Sequence, residues 1–386
     1  MTPLAEPTIV DLFCGCGGFG LGAELAGFRT LAAIDIDSVL QSAYKLNFPG
    51  TYVLTADIST MEGQFWAFPL GGVRPDGVIG GPPCQGFSRI GKRQKDDPRN
   101  SLIGHFFRQV GLLKPKFFIM ENVEGLLDET NRAGLQAALD TVPSNYRVIG
   151  PVKINAAHYG APTVRTRVIF VGYDPNEIDP ITASDLAPVA DISLVPVRDA
   201  IGDLPCPIEQ QSGSLEFGWA RYPNVNPNVE LSNYARMMRR SPDKRLGWDD
   251  ALLRLAHGEI SGLTETKHSE AVKQRFGETL AGQTESVSHY PRLAWDGLCP
   301  TIRAGTGEDR GSFQSVRPIH PAEPRVITVR EGARLQGFPD WFAFNPTKWH
   351  SFRMIGNSVS PIVAKELLTA IKRGLSLREP ARRRMG

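Results

Sequence analysis

Residues 8–20 read T-I-V-D-L-F-C-G-C-G-G-F-G, and the change from apolar residues to glycines in this stretch decides the fold. The apolar part at 8–13 predicts a short buried strand. The glycines after it predict a tight turn into a helix that runs to about Ala26. Gly15, Gly17 and Gly20 have the G-x-G-x-x-G spacing of nucleotide-binding turns. That match is weak by itself, because any turn from a strand into a helix favours glycine.

The rest of the first half alternates strands with helices. A second strand is predicted at 30–35 and is followed by a helix to Asn47. Further strands are predicted at 76–80, 116–122 and 167–173, and the spacing of L-I-G-H-F-F-R-Q-V-G-L-L predicts a helix between two of them. Strands that alternate with helices indicate an open, mostly parallel α/β sheet.

Four polar residues fall at or just after predicted strand ends. They are Asp11, Asp35, Cys84 and Glu121. Ligands of open α/β sheets bind beyond the carboxyl ends of the strands, and an acidic residue about 20 residues after the glycine turn holds a ribose hydroxyl. The pattern predicts a nucleoside-type ligand, either NAD or S-adenosylmethionine. Cys14 and Cys16 have no partner His or Cys set that would complete a zinc site.

Composition excludes several classes of protein. The chain has 386 residues, 41% of them hydrophobic and 22% charged, which is ordinary for one large or two average globular domains. It has no apolar run of membrane-spanning length, and its first residues lack the pattern of a secretory signal. Five cysteines without C-x-x-C pairs suggest reduced thiols. A net charge of +2 does not by itself indicate nucleic-acid binding, and the basic runs at 92–95 and 236–245 are also typical of a solvated surface.

The second half is less regular. Prolines and short polar stretches dominate 175–325, which we interpret as an inserted, loop-rich domain. Regular structure is predicted to resume at V-I-T-V-R-E-G-A-R-L-Q-G-F-P and to end in a helix from about Ser360 to Leu375. The tail R-E-P-A-R-R-R-M-G is predicted to be disordered.

The segment G-G-P-P-C-Q-G-F-S follows the strand at 76–80. Pro82 and Pro83 each fix φ and remove a backbone donor, so the segment forms neither helix nor central strand. Cys84 is either a buried structural cysteine, as free cysteines often are, or a nucleophile held on a stiff loop. The rigidity of the loop favours the nucleophile.

Several motifs, taken in order, resemble those of the DNA (cytosine-5)-methyltransferases, and the resemblance covers the chain from residue 8 to the last helix. They are D-L-F-C-G-C-G-G, G-P-P-C-Q-G-F-S, E-N-V-E-G, R-T-R, R-E-G-A-R-L-Q-G-F-P and G-N-S-V-S-P. The resemblance implies a Rossmann-like S-adenosylmethionine-dependent methyltransferase fold of the α/β class with an inserted target-recognition domain. The expected division is 1–178 for the first part of the catalytic domain, 179–345 for target recognition and 346–386 for a helix that returns to the catalytic domain.

The resemblance also implies catalytic roles for Cys84, Glu121, Arg165 and Arg167. Cys84 would add to C6 of cytosine and so make C5 nucleophilic. Glu121 would donate to N3 and contact the exocyclic amine, while the two arginines would hold O2 and orient Glu121. The target base must be flipped out of the duplex for this chemistry.

The remaining expected site residues fall into two groups. The cofactor-binding residues are Asp11, Phe13, Gly15, Gly17, Asp35, Ile36, Asp57, Ile58, Pro82, Leu102, Asn357, Ser358 and Val359. The DNA-binding residues are Gln85, Ser88, Lys92, Arg93 and Lys95, in the loop that would close over the strand. Taken singly, Phe13 or Leu102 would fit core packing equally well. No metal is expected.

Two departures from the family pattern leave the catalytic groups in place. Thr163 stands where the family usually has Gln before the arginines, and the last motif reads S-V-S-P where V-P is more usual. A dehydrogenase would leave P-P-C-Q and E-N-V unexplained. A tRNA-methylating relative would carry a C-F-T signature that is absent from the variable region, and a catalytically inactive DNA-binding homologue would not need all four catalytic residues.

The expected protein is a monomeric bacterial or phage-type enzyme. It would act in the cytoplasm, associated with the nucleoid through double-stranded DNA, with a restriction or defence system as a possible partner. The recognition sequence, and any preference between maintenance and de novo methylation, cannot be read from one chain.

Overall fold

A computed structural model describes most of the chain. The described residues are 6–83, 102–189, 192–210, 216–223, 230–242, 245–304 and 317–382, with side chains described as far as 375. Within these ranges, no helix is long and apolar enough to cross a membrane.

A seven-stranded sheet forms the centre of the molecule, with strand order β3-β2-β1-β4-β5-β8-β6. The strands of the chain are β1 (Thr8–Leu12), β2 (Arg29–Asp35), β3 (Tyr52–Thr55), β4 (Gly77–Gly80), β5 (Phe117–Asn122), β6 (Arg147–Asn155), β7 (Thr163–Val164), β8 (Thr166–Tyr173), β9 (Ala220–Arg221), β10 (Glu259–Ile260) and β11 (Cys299–Pro300). The first five strands of the order pair in parallel, whereas β8 is antiparallel to both β5 and β6. The mostly parallel α/β sheet predicted from the sequence is confirmed.

Helices cover both faces of this sheet. The helices of the described residues, including those of the irregular region, are α1 (Gly18–Leu25), α2 (Ser38–Asn47), α3 (Ala67–Leu70), α4 (Leu102–Leu113), α5 (Arg132–Leu139), α6 (Val197–Ile201), α7 (Asn233–Arg239), α8 (Asp249–Ala256), α9 (Glu270–Glu278), α10 (Val329–Gln336), α11 (Lys348–Asn357) and α12 (Pro361–Arg382). Successive strand residues point to opposite faces. Ile9 and Phe117 therefore pack toward α12, while Val10 and Phe118 pack toward α4.

Two strands of the central sheet were not predicted. β3 has only four residues, and β6 contains Gly150 and Pro151 in its middle. The register of β6 against β8 shifts between Ile149 and Val152, where these two residues bulge. A proline is tolerated there because β6 is an edge strand, which does not need every backbone donor for pairing.

The last helix packs on the first one. A Cβ on Gly22 of α1 would overlap Ala364 of α12, so glycine is required for this close approach. α12 also runs to Arg382, and the prediction of disorder is therefore wrong for residues 378–382. The residues after Leu375 include Leu377, Arg378 and Glu379, which favour helix.

The irregular region between β8 and α10 is confirmed as loop-rich, with short helices and two-residue strands. Arg334 of α10 holds this region against the helix, and its side chain is fully buried. Arg334 pairs with Asp340 at 2.6 Å and with Asp203 at 3.0 Å. Tyr222 donates to the same Asp340, and Arg239 of α7 lies over the Tyr222 ring at 3.7 Å. These carboxylates hold the pKa of Arg334 well above its usual value, although burial opposes them.

We expect Arg334→Met to lower the free energy of unfolding by about 3–5 kcal/mol, because it leaves the buried Asp340 without its cation. The control is Arg132→Met, whose ion pair with Glu129 is at the surface and which should change stability by less than about 0.5 kcal/mol. Urea denaturation checks both. A loss for Arg334→Met no larger than that of the control would contradict the account.

Candidate active site

The glycine turn after β1 is held by Asp35 at the end of β2. The Gly15 N–H donates to Asp35 Oδ2 at 2.8 Å, and the Asp37 N–H donates to Oδ1 at 2.9 Å. Phe13 and Gly15 both have positive φ, 55° and 53°, and nothing lies within 4 Å of an ideal Cβ on Gly15. Burial raises the pKa of Asp35, and the two backbone donors oppose the rise. The turn therefore leaves open space beside a fixed carboxylate.

Close packing requires glycine at the next two glycine positions, 17 and 18. Gly17 has φ +98°, and a Cβ there would lie 2.6 Å from the ring of Phe48. A Cβ on Gly18 would overlap Ser358 Oγ and the carbonyl of Val359. The predicted residues Ser358 and Val359 therefore lie directly against the start of α1, and both are buried.

Asp11 lies beneath the turn, completely buried, and accepts a hydrogen bond from Tyr44 at 3.4 Å. Its Oδ1 has no partner among the described groups, and burial raises its pKa well above the usual range.

Cys14 and Cys16 are buried beside Asp11, and burial raises the pKa of Cys16 to about 12. Such thiols are poor nucleophiles. Within the described ranges, no cluster of three metal-ligating side chains exists.

An exposed apolar surface flanks Asp35. Ile36, the next residue, is 70% exposed, which is unusual for isoleucine. Asp57 after β3 is also exposed, and its carboxylate accepts the Ser59 N–H at 2.9 Å, which lowers its pKa. An exposed isoleucine between two acidic residues at the ends of parallel strands fits the apolar base and the hydroxyls of a nucleoside.

Three other residues that were predicted to bind the cofactor lie at the same end of the sheet and are less exposed than Ile36 and Asp57. Ile58 is buried, so that only its backbone faces the turn after Asp57. Leu102 begins α4 and is half-buried. Pro82 is buried, and its carbonyl accepts the Asn122 side chain at 2.9 Å, which fixes the chain where it leaves β4.

Glu121 and Arg167 meet where β5 and β8 lie side by side. The antiparallel register pairs Glu121 with Ile169, and Arg167 Nε lies 2.9 Å from Glu121 Oε1. The distance is that of an ion pair. However, Oε1 accepts no hydrogen bond from a described group, because the Arg167 N–H does not point at it. Glu121 is only 8% exposed, so it presents a nearly buried acceptor that a ligand donor could satisfy.

Arg165 is 3% exposed, and its hydrogen bonds go to backbone carbonyls. It donates to the Gly356 carbonyl at 2.9 Å and reaches the Ile302 carbonyl at 3.5 Å. Burial, and then repulsion by Arg167, lower its pKa to about 9. Arg165 is thus still charged at neutral pH, and it ties the segments around 302 and 356 together while Arg167 alone pairs with Glu121.

A cavity of about 250 Å³ opens beside Arg167. It is lined by Arg167, Thr301, Ile302, Arg303, Ala304, Gly356 and Asn357. Asn357, which was predicted to contact the cofactor, is exposed at this cavity. Pockets for drug-sized ligands have roughly 300–1,000 Å³, and this smaller volume suits a single planar ring.

Residues 301–304 were missed by the sequence analysis, since they lie in the irregular region far along the chain. β11 brings them to the site by pairing in parallel with β7. Thr163, the departure from the family pattern, donates its hydroxyl to the Cys299 carbonyl at 3.0 Å in this pairing. The apolar C-P-T-I at 299–302 was the only local signal.

Six predicted site residues lie outside the described part of the chain. They are Cys84, Gln85, Ser88, Lys92, Arg93 and Lys95. The described chain stops just before them, at Pro83. Beside that end, a Cβ on Gly81 would lie 3.3 Å from Glu121 Oε2, so the chain passes the carboxylate as it leaves β4.

The sequence model of one family, described as C-5 cytosine-specific DNA methylase, matches residues 7–373. The type II methyltransferase M.XorII of Xanthomonas oryzae pv. oryzae is 41% identical, and the match covers 96% of this chain and 86% of that protein. The type II methyltransferase M.DdeI of Desulfomicrobium norvegicum is 33% identical, with 94% and 88% covered.

A solved structure agrees with these sequences. It is described as a DNA modification methyltransferase encoded within a prophage (E. coli), and it superimposes with a TM-score of 0.85 at 38% identity. The match covers 96% of this chain and 100% of that one.

Proposed function

The chain belongs to the C-5 cytosine-specific DNA methylases, and we propose that it methylates C5 of a cytosine flipped out of one specific sequence of double-stranded DNA. The observation that carries this proposal is Glu121 Oε1, which accepts no hydrogen bond from a described group although it is nearly buried and pairs with Arg167, a residue that lines a ring-sized cavity. A base stacked in a duplex cannot reach such an acceptor, whereas a flipped base can.

The proposed reaction begins at Cys84. Its thiolate forms a bond to C6, and the electrons of the C5–C6 double bond move to C5, with charge relieved at N3. Glu121, in its protonated form, accepts a hydrogen bond from the exocyclic amine at Oε1 and gives the proton on its other oxygen to N3, which leaves it as a carboxylate. Arg167 holds the Glu121 carboxylate and donates toward O2 of the ring. After C5 has gained the methyl group, a base removes the C5 proton and Cys84 leaves as thiolate.

Arg165 is a positioning residue in this proposal. Its guanidinium donates to the carbonyls of both Gly356 and Ile302, which line two walls of the cavity. The cavity then keeps its shape while the base enters and leaves. Small displacements of reacting groups are costly, so fixed walls serve the reaction.

Family and fold are those of S-adenosylmethionine-dependent methyltransferases. When bound, this cofactor supplies an electrophilic methyl group. Asp35 would hold the ribose hydroxyls, Ile36 would lie against the adenine, and Asp57 would accept the adenine amine. The open space at Gly15 and the unpartnered Asp11 Oδ1 fit a ligand that ends above the turn.

We expect Asp35→Ala to weaken S-adenosylmethionine binding by about 10- to 100-fold, because it removes the ribose acceptor and two anchors of the turn, each a charged hydrogen bond worth roughly 1.5–3 kcal/mol. The control is Asp174→Ala. Asp174 follows the C-terminal end of β8, which is antiparallel to β5, and so lies at the edge of the sheet opposite to Asp35. Isothermal titration calorimetry measures both. Affinities of the two variants within threefold of each other would refute this role of Asp35.

The division into 1–178, 179–345 and 346–386 is part of the proposal, with the irregular region reading the DNA sequence. The loop with Gln85, Ser88, Lys92, Arg93 and Lys95 would contact the strand around the flipped base. We propose a monomer that acts on DNA in the cytoplasm, with a restriction or defence system as its partner.

A labelling experiment tests the choice of polymer. The protein is incubated with methyl-labelled S-adenosylmethionine and, in separate reactions, with unmethylated genomic DNA and with unmodified tRNA. Label in DNA and none in tRNA supports the proposal. Label in tRNA alone would replace it by RNA methylation, and label in neither, with the cofactor still bound, would indicate a homologue without catalytic activity.

A further inference from the structure

One face of α11 leads away from the cavity and carries a line of contacts to the irregular region. Near the C-terminal end of α11, a Cβ on Gly356 would lie 2.5 Å from the backbone nitrogen of Ala304. One turn earlier, the guanidinium of Arg317 lies over the Phe352 ring, 4.9 Å from its centroid. Lys348 comes one turn earlier again. Residues four apart share a helix face, so Gly356, Phe352 and Lys348 form one stripe, about 12 Å long at 1.5 Å per residue.

Basic side chains stand along this stripe. Arg303 is exposed at the cavity next to Ala304, Arg317 stands at Phe352, and Lys348 stands at the far end with exposed Lys267 nearby. We call Arg303, Arg317 and Lys348 the basic track. It starts at the cavity that contains Arg167 and follows α11 outward.

The track carries little compensating negative charge. Among the described residues, no ion pair joins Arg303 or Arg317 to a carboxylate, and the buried Nε of Arg317 has no hydrogen-bond partner. Lys348 donates to a neutral group, the backbone carbonyl of Glu265, at 2.6 Å. The Glu265 side chain is the one acidic group that acts on Lys348.

The positive charges also repel one another. Burial lowers the pKa of Lys348, and Arg317 and Lys267 lower it further, while Glu265 opposes them. Burial lowers the pKa of Arg317 as well. Partly desolvated cations such as Arg317 and Lys348 are unfavourable when they repel one another, and an anionic ligand along the stripe would relieve the repulsion.

We infer that Arg303, Arg317 and Lys348 bind successive phosphates of the DNA strand that carries the target cytosine, on one side of the flipped base. This inference rests on the proposed function. One strand carries a phosphate per roughly 3.4 Å of helix axis, so the track spans three to four phosphates. Guanidinium groups match phosphate geometry, which suits the two arginines to this contact. The contacts position the strand and read no sequence.

The test compares DNA binding of Arg303→Gln, Arg317→Gln and Arg317→Lys with that of the unaltered protein. The control is Arg147→Gln. Arg147 is exposed and lies at the start of β6, opposite Tyr173 of β8. Arg167 lies opposite Ile154, near the other end of β6, so Arg147 is far from the cavity. The probe is a fluorescent, unmethylated DNA duplex of mixed sequence, and anisotropy is measured over a range of salt concentrations. Steady-state methylation of genomic DNA gives kcat and KM for the same proteins.

Each phosphate contact contributes about 0.9 to the slope of log K against log salt. We therefore expect Arg303→Gln and Arg317→Gln each to reduce the slope by about 0.9 and to weaken binding by roughly eightfold at 0.1 M salt. Arg317→Lys keeps the charge and should restore most of the slope, and Arg147→Gln should match the unaltered protein. In methylation, both glutamine variants should raise KM for DNA, and Arg317→Gln, which does not line the cavity, should leave kcat nearly unchanged.

Unchanged slopes in both glutamine variants would overturn the inference. If Arg317→Gln folds poorly, the exposed Arg303 and the charge-retaining Arg317→Lys still decide the result. Reduced slopes with tRNA as probe but not with duplex DNA would also overturn it. An unaltered protein that neither binds nor methylates DNA would refute the proposed function itself, a result distinct from normal activity with unchanged slopes.

Discussion

Cys84→Ser is expected to abolish methyl transfer, with a fall in kcat of roughly 10⁴-fold or more. The serine hydroxyl has nearly the size of the thiol but is not ionised at neutral pH, so it cannot add to C6 without a base to activate it. The first covalent bond of the proposed reaction would then not form. Binding of S-adenosylmethionine should survive, because the acidic residues assigned to the cofactor, Asp35 and Asp57, lie at the ends of other strands. Methyl incorporation into unmethylated DNA and titration calorimetry measure the two properties on one preparation.

Cys206→Ser is the matched control, since Cys206 is an exposed free cysteine in the irregular region. It should retain full activity. Activity of Cys84→Ser within tenfold of the control would eliminate covalent catalysis by Cys84. Loss of cofactor binding in Cys84→Ser would show instead that the loop and the cofactor site are not separable.

Glu121→Gln is expected to lower kcat by about 10²- to 10⁴-fold, the range for loss of a positioned proton donor. Glutamine keeps the shape of the side chain but cannot supply a proton to N3, and it removes the carboxylate that pairs with Arg167 at 2.9 Å. KM for DNA should change little, because base flipping and phosphate contacts do not depend on this proton. Steady-state methylation at saturating cofactor separates kcat from KM.

The control for this variant is Glu124→Gln, three residues along the chain, whose carboxylate is half-exposed and pairs with Lys153 at 3.5 Å. It should be nearly as active as the unaltered protein. If Glu121→Gln has the kcat of the control and only a raised KM, Glu121 binds the base without taking part in proton transfer.

The sheet and its cofactor end were predictable because each depends on a local pattern. Apolar runs followed by glycines or acidic residues mark β1 and β2, and parallel strands bring Asp35 and Asp57 to one edge. The positions of Gly17 and Gly18 in tight contacts agree with their place in the glycine turn. β6 escaped prediction because Gly150 and Pro151 interrupt its pattern, and only its position at the sheet edge makes it a strand.

The far wall of the cavity beside Arg167 could not be predicted, because it depends on long-range pairing. Residues 301–304 reach the site because β11 pairs with β7. These two strands are more than a hundred residues apart in the chain, and no local sequence pattern predicts such a pairing. The sequence likewise did not show that the two arginines have different partners. Arg165, between β7 and β8, donates to the carbonyls of Gly356 and Ile302, whereas Arg167 pairs with Glu121.

The account's central claim is tested most directly by base-resolution sequencing of unmethylated genomic DNA after incubation with the protein and S-adenosylmethionine, with Cys84→Ser as the blank. The account predicts 5-methylcytosine at one position of a single short recurring sequence, and none in the blank. Genomic DNA that remains unmethylated while the protein binds its cofactor, or methylation that persists in the blank, would contradict it.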